Sequence, residues 1–294
     1  MTAAPFTYQS PIRLQDALDA LSSTSSAGRL AAIIAGGQSL VPLMLRRQSR
    51  PDVLIDINRL PDLADIRVTS QGIAMGALVR LEQARNHPVT RRILPLLADA
   101  LSWVANPTIR ARGTVVGNLV QNAPGAELPA VAMALGARFL LARGSARDEV
   151  DAAPILARLR SLPPDTIVTH VLWPAGDAAT LPRGGFWEIA SRDGHKALVG
   201  AAVAFHGEAA CRVTLCGLGD TSFSTMTVTA TIAAALPKAS AVEAIAAALA
   251  SDLNDAPSFV VKGDGVADAA YRRDVAPVVI QRAIQRALAQ NANA

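Results

Sequence analysis

Four histidines (His87, His170, His195, His206) and two cysteines (Cys211, Cys216) are the side chains here best suited to ligate a metal or attack a substrate. Their spacing supports neither role. There is no His-Glu-x-x-His and no Cys-x-x-Cys, so the sequence specifies no zinc site. An iron–sulfur cluster usually takes four cysteines, and two cannot hold one alone. The Gly-x-Ser-x-Gly nucleophile elbow and the lysine-bearing P-loop are absent. Gly217-Leu218-Gly219 opens like a dinucleotide fingerprint, but Ser222 stands where the third glycine belongs. Without a nucleophile, a ligand cluster or an acid–base pair, any redox chemistry has to come from a bound cofactor.

Two glycine turns offer a place for one. In Leu30–Leu45 (LAAIIAGGQSLVPLML) small and β-branched residues run into Ala35-Gly36-Gly37-Gln38-Ser39, and an apolar stretch with helical spacing follows. Adjacent glycines remove two Cβ atoms and permit positive φ, so the backbone can approach a ligand closely. Its N–H groups, with those opening the next helix, make an anion nest. Neither Gln38 nor Ser39 is charged, so a diphosphate there is held by amides and hydroxyls rather than by lysine. A second glycine-bounded, lysine-free segment, Arg112-Gly113-Thr114-Val115-Val116-Gly117-Asn118, lies well downstream. Together the pair could clamp one extended dinucleotide.

These segments need elements to carry them. Leu14, Ala17, Leu18 and Leu21 fall on one helical face, and Ser22–Gly28 reads as a polar loop. Val53–Ile57 reads as a buried strand. Ile66–Thr69 and Ile73–Met75 make a hairpin, and Leu81–His87 and Thr90–Val104 two helices. Asn106-Pro107 ends the second helix, because a residue before proline avoids the α region. Glu127–Leu135 reads as a helix with Pro129 in its first turn. Ala137–Ala142 and Ile167–Leu172 read as strands. Proline and glycine cluster from Pro174 to Gly185, a domain boundary. Strands near Phe186–Ser191, Leu198–Phe205 and Arg212–Leu218 precede three helices, the middle one opening with the capping-box pair Ser240 and Glu243.

Composition narrows the function classes. A chain of 294 residues can bury a substantial core in two domains. The net charge is +4, but the arginines are scattered and aromatic residues make up only 4%, which disfavours a nucleic-acid partner. No long apolar run is free of charge or proline, so no membrane span is expected. The N-terminal residues lack the pattern of a secretory signal. Both cysteines sit in one apparent strand, where an isolated disulfide is one reading and reduced thiols, pointing to a cytoplasmic location, the preferred one. Trp103 reads as a core residue.

The two segments, in this order and spacing, resemble the FAD-binding medium subunit of molybdenum hydroxylases, the group that includes carbon monoxide, nicotine, caffeine and xanthine dehydrogenases. The resemblance covers essentially the whole chain. Phe6, Tyr8, Pro11 and Leu14 match its opening, Ala35–Arg47 its first flavin loop, and Pro51–Asp56 the strand after it. Asn106–Thr114 leads into the second loop as in the family. Pro124, Glu127, Leu128 and Pro129 match a P-x-x-[DE]-L-P continuation, and Tyr271-Arg272-Arg273 a C-terminal YRR.

The resemblance implies an α+β fold. Residues 1–175 would form a flavin domain of the p-cresol methylhydroxylase (PCMH) type. Residues 176–294 would form a smaller domain with a three-stranded antiparallel sheet and a helical bundle. It implies FAD contacts at Ala35, Gly36, Gly37, Gln38, Ser39 and Leu40, and at Thr114, Val115, Val116, Gly117 and Asn118. Glu127 would contact the cofactor, as would the backbone of Val104 and Ala105. The partners implied are a large molybdopterin subunit and a small [2Fe–2S] subunit, from which electrons pass to this FAD and on to an external acceptor. Two positions depart from the family. Val116 stands where a glycine is usual; a β-branched residue there is strained if φ is positive, and crowds the cofactor if the position only needs room. Gly194-His195-Lys196 replaces Gly-Asp-aromatic, putting Lys196 beside the flavin or in solvent. Val116 motivates an alternative, a degenerate assembly subunit with weak flavin binding; a further alternative is a stand-alone flavin oxidoreductase of the same fold, such as a UDP-sugar reductase.

Overall fold

A computed structural model describes residues 2–175, 183–206, 210–235 and 241–289. The chain begins with β1 (Thr7–Gln9), α1 (Leu14–Ser26), β2 (Ala31–Ile34), α2 (Leu40–Leu45) and β3 (Val53–Asp56). The hairpin β4 (Ile66–Thr69) and β5 (Gly72–Gly76) is followed by five short helices: α3 (Leu81–Asn86), α4 (Pro88–Ile93), α5 (Pro95–Trp103), α6 (Pro107–Arg112) and α7 (Val115–Gln121). Then come α8 (Glu127–Leu135), β6 (Arg138–Arg143), β7 (Ala146–Asp151), α9 (Ala152–Arg158) and β8 (Ile167–Pro174). The rest comprises β9 (Arg183–Ala190), β10 (Ala197–His206), β11 (Ala210–Cys216), β12 (Phe223–Thr225), α10 (Thr227–Ala235), α11 (Val242–Asn254) and α12 (Ala269–Ala289).

These elements gather into two compact units that interleave along the sequence. The first takes Met1–Gln83, Pro107–Gln121 and Arg138–Leu172; the second takes Ala84–Asn106, Asn122–Ala137 and Trp173–Ala294.

The first unit holds a parallel sheet of order β1-β3-β2 and a five-stranded sheet of order β4-β5-β8-β6-β7. The Ala17, Leu18 and Leu21 face of α1 is buried as its spacing predicts. The polar loop expected from Ser22 is instead the last turn of α1, where Thr24 Oγ1 donates to the Ala20 carbonyl at 2.7 Å. Hydroxyls that bond back to the helix let polar residues continue it. Parallel pairing sets Ile34 of β2 opposite Asp56 of β3. The segments leaving both strands, Ala35 onward and Ile57-Asn58, therefore emerge at one edge of the sheet.

In the second unit, β12-β11-β10-β9 form an antiparallel sheet. Three of these strands are the expected ones; β12 is a short addition. Gly184 and Gly185 show how tightly β9 is enclosed. A Cβ on Gly184 would lie 3.0 Å from the Leu96 side chain of α5, and one on Gly185 2.4 Å from the Ala283 carbonyl of α12. Successive strand residues face opposite ways, so α5 and α12 cover opposite faces of β9. The expected single helix Thr90–Val104 is two, because Pro95 drives Leu94 out of the helical region (φ −124°, ψ 61°). The N-cap of α11 is Ala241, with no side-chain cap bond. Ser240, the expected capping residue, lies outside the described residues, as does most of the Pro174–Gly185 cluster.

Candidate functional site

The two glycine segments meet. A Cβ on Gly36 would lie 2.4 Å from the Arg112 carbonyl oxygen and 2.9 Å from Gly113 Cα. No L side chain fits there, so the first glycine is what allows the segments to touch. Gly37 has φ 71°, the left-handed conformation glycine adopts without strain. Gln38 Nε2 donates to the Gly36 carbonyl at 3.1 Å, and the Gln38 side chain lies against Gly113.

The second segment differs from a simple loop. Gly113 and Thr114 link α6 to α7, Thr114 in an isolated bridge to Arg80, and Val115, Val116, Gly117 and Asn118 open α7. Thr114 caps them: its Oγ1 accepts from Gly117 N at 3.0 Å, and its carbonyl from Asn118 N at 3.0 Å. Gly117 is needed for that cap, since a Cβ there would fall 2.6 Å from Thr114 Oγ1. Val116 is helical and buried, and it is not among the residues with positive φ. The strain its β-branch threatened therefore does not arise. Val115 and Val116 point their side chains into the core, so only their backbones are available to a ligand.

The donor set suits a diphosphate. Among the described residues, no protein acceptor takes the N–H of Gly36, Gly37, Gln38, Ser39, Thr114 or Val116. The Asn118 Oδ1 is buried without a hydrogen-bond partner. Clustered backbone amides with no internal partner are what an anion nest requires.

A network invisible to motif reading holds this arrangement. Arg80 Nη1 donates to the Arg112 carbonyl at 2.9 Å, and Nη2 to Asn58 Oδ1 at 2.7 Å. Asn58 Nδ2 in turn donates to the Ala35 carbonyl at 2.8 Å and to Asp56 Oδ1 at 2.7 Å. Tyr8 Oη donates to Asp56 Oδ2 at 2.6 Å. Partial burial works against the Asp56 charge, but hydrogen bonds from Tyr8 and Asn58, with Arg80 nearby, hold its carboxyl below the usual range. The missed signal was positional: Asn58 follows β3 just as Ala35 follows β2, at the carboxyl ends of parallel strands.

The remaining expected residues belong to the second unit and form their own cluster. Val104 is buried at the end of α5 and Ala105 has φ 50°, an uncommon conformation for alanine. A Cβ on Gly194 would lie 3.3 Å from the Ala105 carbonyl carbon. Gly125 packs on the Ala197 carbonyl and accepts from Ala197 N at 3.2 Å. Glu127 opens α8 and is buried; burial pushes its carboxyl up to about 7, against the pull of its own amide and of Lys196. Lys196 itself is exposed. Sequence reading missed Glu188 on β9. It is buried with Oε2 unpartnered, and burial together with Glu127 pushes it up to about 9. Cys211 and Cys216 are free, buried thiols, as expected. Trp103 is half-buried in a cluster with Phe186 and Trp187. The described residues include no group of three or more His, Cys, Asp or Glu that could hold a metal.

A family model described as the FAD binding domain in molybdopterin dehydrogenase matches residues 4–176. The chain belongs to that family. The chain is similar to the 6-hydroxypseudooxynicotine dehydrogenase complex subunit alpha of Paenarthrobacter nicotinovorans. That relative is 34% identical over 279 residues, covering 92% of this chain and 90% of the relative. The carbon monoxide dehydrogenase medium chain of Afipia carboxidovorans aligns over 100% of both chains at 28% identity. Among solved structures, carbon monoxide dehydrogenase from Hydrogenophaga pseudoflava superimposes with a TM-score of 0.87 at 28% identity, over 99% of both chains. Family membership makes this an oxidoreductase chain with FAD as its cofactor, and the structural likeness bears out the α+β fold class.

Proposed function

We propose that this chain is the FAD-carrying electron-transfer subunit of a three-subunit molybdenum hydroxylase. Its partners in this reading are a large molybdopterin subunit and a small [2Fe–2S] subunit, in the cytoplasm. No helix among the described residues is long and apolar enough to cross a membrane. The observation that carries the reading is the meeting of two amide-bearing segments at Gly36 and Gly113. Bound FAD supplies the capacity to take up and release one or two electrons. The chain's own task is to hold it. The amides of Gly36–Ser39, Thr114 and Val116 bind the diphosphate, Asn118 offers a buried acceptor, and Gly117 leaves room for the Thr114 cap. For Val104, Ala105, Glu127 and Lys196 the support is the family resemblance together with their convergence within the second unit. The division into residues 1–175 and 176–294 likewise rests on the resemblance and on the family match ending at residue 176.

A helical Val116 with its side chain buried in the core speaks against reading the chain as a degenerate subunit. Titrating the flavin-stripped full chain with FAD tests the function: about one equivalent bound, by amides of the kind that cradle phosphates, is expected. No uptake of FAD refutes it. Co-purification with two further chains carrying molybdenum and iron tests the partners, and isolation of a flavin-loaded chain that binds neither refutes that part.

A further inference from the structure

We infer that Arg80 is a positioning residue for the flavin site: its guanidinium spans the two glycine segments and fixes their separation. This rests on the first segment pair being the FAD cradle.

The need for such a bridge follows from the backbone. Thr114 is anchored on one side by an isolated bridge to Arg80, with Leu81 N donating to Gly113 O at 2.9 Å and Val115 N to Val79 O at 3.0 Å. None of these bonds reaches Ala35–Leu40. Among the described residues, no backbone hydrogen bond joins that stretch to Arg112–Asn118. The contacts seen between the segments are van der Waals ones, at Gly36 and at Gln38 against Gly113. Left to that contact, they could slide apart. Arg80 closes the gap with two donors on different nitrogens, one to the Arg112 carbonyl and one, through Asn58, to the Ala35 carbonyl. A planar guanidinium can serve two acceptors in a fixed plane, whereas a lysine ammonium cannot reproduce that fork. The amides on either side are thereby held at one spacing before ligand arrives, which lowers the ordering cost of binding.

The test uses the flavin-stripped full chain as Arg80→Gln, Arg80→Lys, Asn58→Ala and the Arg80→Gln/Asn58→Ala double variant. FAD affinity, its dependence on salt, and the melting temperature of the stripped protein are measured. Both Arg80 variants are expected to bind FAD about ten-fold or more weakly, with an unchanged salt slope; the double variant should bind no worse than the weaker single one, the non-additivity of a shared network. Full affinity in Arg80→Lys overturns the inference, because charge alone then suffices. So does full affinity in Arg80→Gln, or additive losses in the double variant. Asn58 is exposed, so Asn58→Ala keeps the test decisive if an Arg80 variant fails to fold. Native affinity in Asn58→Ala also overturns it. Failure of the unmodified chain to bind FAD instead refutes the proposed function, so the two failures are distinguishable.

Discussion

At the scale of single residues, the structure separates glycines that make contact from those that merely turn. Gly36→Ala places a methyl 2.4 Å from a backbone oxygen, and backbone cannot rotate away as a side chain can. The expected result is a stability loss of about 1–3 kcal/mol, as for other overpacked sites, and FAD affinity reduced at least ten-fold, roughly 1.4 kcal/mol or more. Val116 yields the opposite of its sequence expectation. Restoring the family's glycine there should weaken the protein, since Val116→Gly empties a buried site and loosens a helix. A destabilisation of about 2–3 kcal/mol without any gain in FAD affinity is expected from the combined cavity and helix terms; chemical denaturation and FAD titration measure both.

Glu127 and Glu188 make a pH prediction. Both carboxyls have folded values above the ordinary 4.5, at about 7 and about 9, with burial the main cause. The folded protein therefore binds more protons than the unfolded chain from about pH 4.5 upward. Stability then falls as pH rises through this window, the reverse of a salt-bridged carboxylate. Glu188→Gln removes its share of the fall. The variant should melt within about 1 °C of the native chain at pH 5 and at least about 3 °C above it at pH 8, each degree a few tenths of a kcal/mol at this size. Melts in which native and variant curves stay parallel across pH would show that Glu188 is not a buried titrating group.

At the scale of elements, the sequence was legible wherever a side chain answers to its own neighbours in the chain. The α1 face, the β2–turn–α2 unit, the β4–β5 hairpin and the three C-terminal helices all follow from apolar spacing and turn residues. What escaped it were strands whose own residues carry no apolar alternation and that exist through the partner strand preceding them in the chain. β7, with the sequence ARDEVD, is too acidic and too exposed to look like a strand, and it exists because it lies along β6. β12 is three residues long and is specified by β11. The candidate site divides the same way: its glycines announced themselves, whereas Arg80 and Asn58 became visible only when two distant segments were placed together. The YRR motif is a similar case. Arg272 is buried on α12, where Nη1 donates to the carbonyls of Leu198 and Gly217 and Nη2 to Asp264 Oδ2 at 2.6 Å. It ties α12 to the start of β10 and to the turn after β11. Arg272→Met removes the donor to the buried Gly217 carbonyl and the half-buried Leu198 carbonyl and should cost about 2–4 kcal/mol in denaturant unfolding.

At the scale of the whole molecule, the interleaving of the two units governs what can be separated. The family match ends at residue 176, which invites a cut there. Yet α5 and α8, both upstream of that point, belong to the second unit and pack on strands downstream of it. Asp99 of α5 accepts two hydrogen bonds from Arg286 of α12, at 2.7 and 2.5 Å, and one from Phe186 N of β9 at 3.1 Å. His206 of β10 contacts the Ala134 carbonyl of α8 at 3.1 Å. Removing residues 176–294 would strip those partners and open the apolar faces that Leu96, Leu97, Leu128 and Val131 line, all fully buried in the intact chain. Exposed apolar area of that kind costs about 25 cal/mol per Å² and favours aggregation or a loosely packed state. The fragment 1–175 should therefore bind a hydrophobic dye, lose near-ultraviolet dichroism and melt without a sharp transition. It should also fail to hold FAD, even though it contains both glycine segments in full. A cooperative melt with native-like FAD uptake would instead show that α5 and α8 can be covered without the C-terminal sheet, and that the second unit's contacts to them are dispensable.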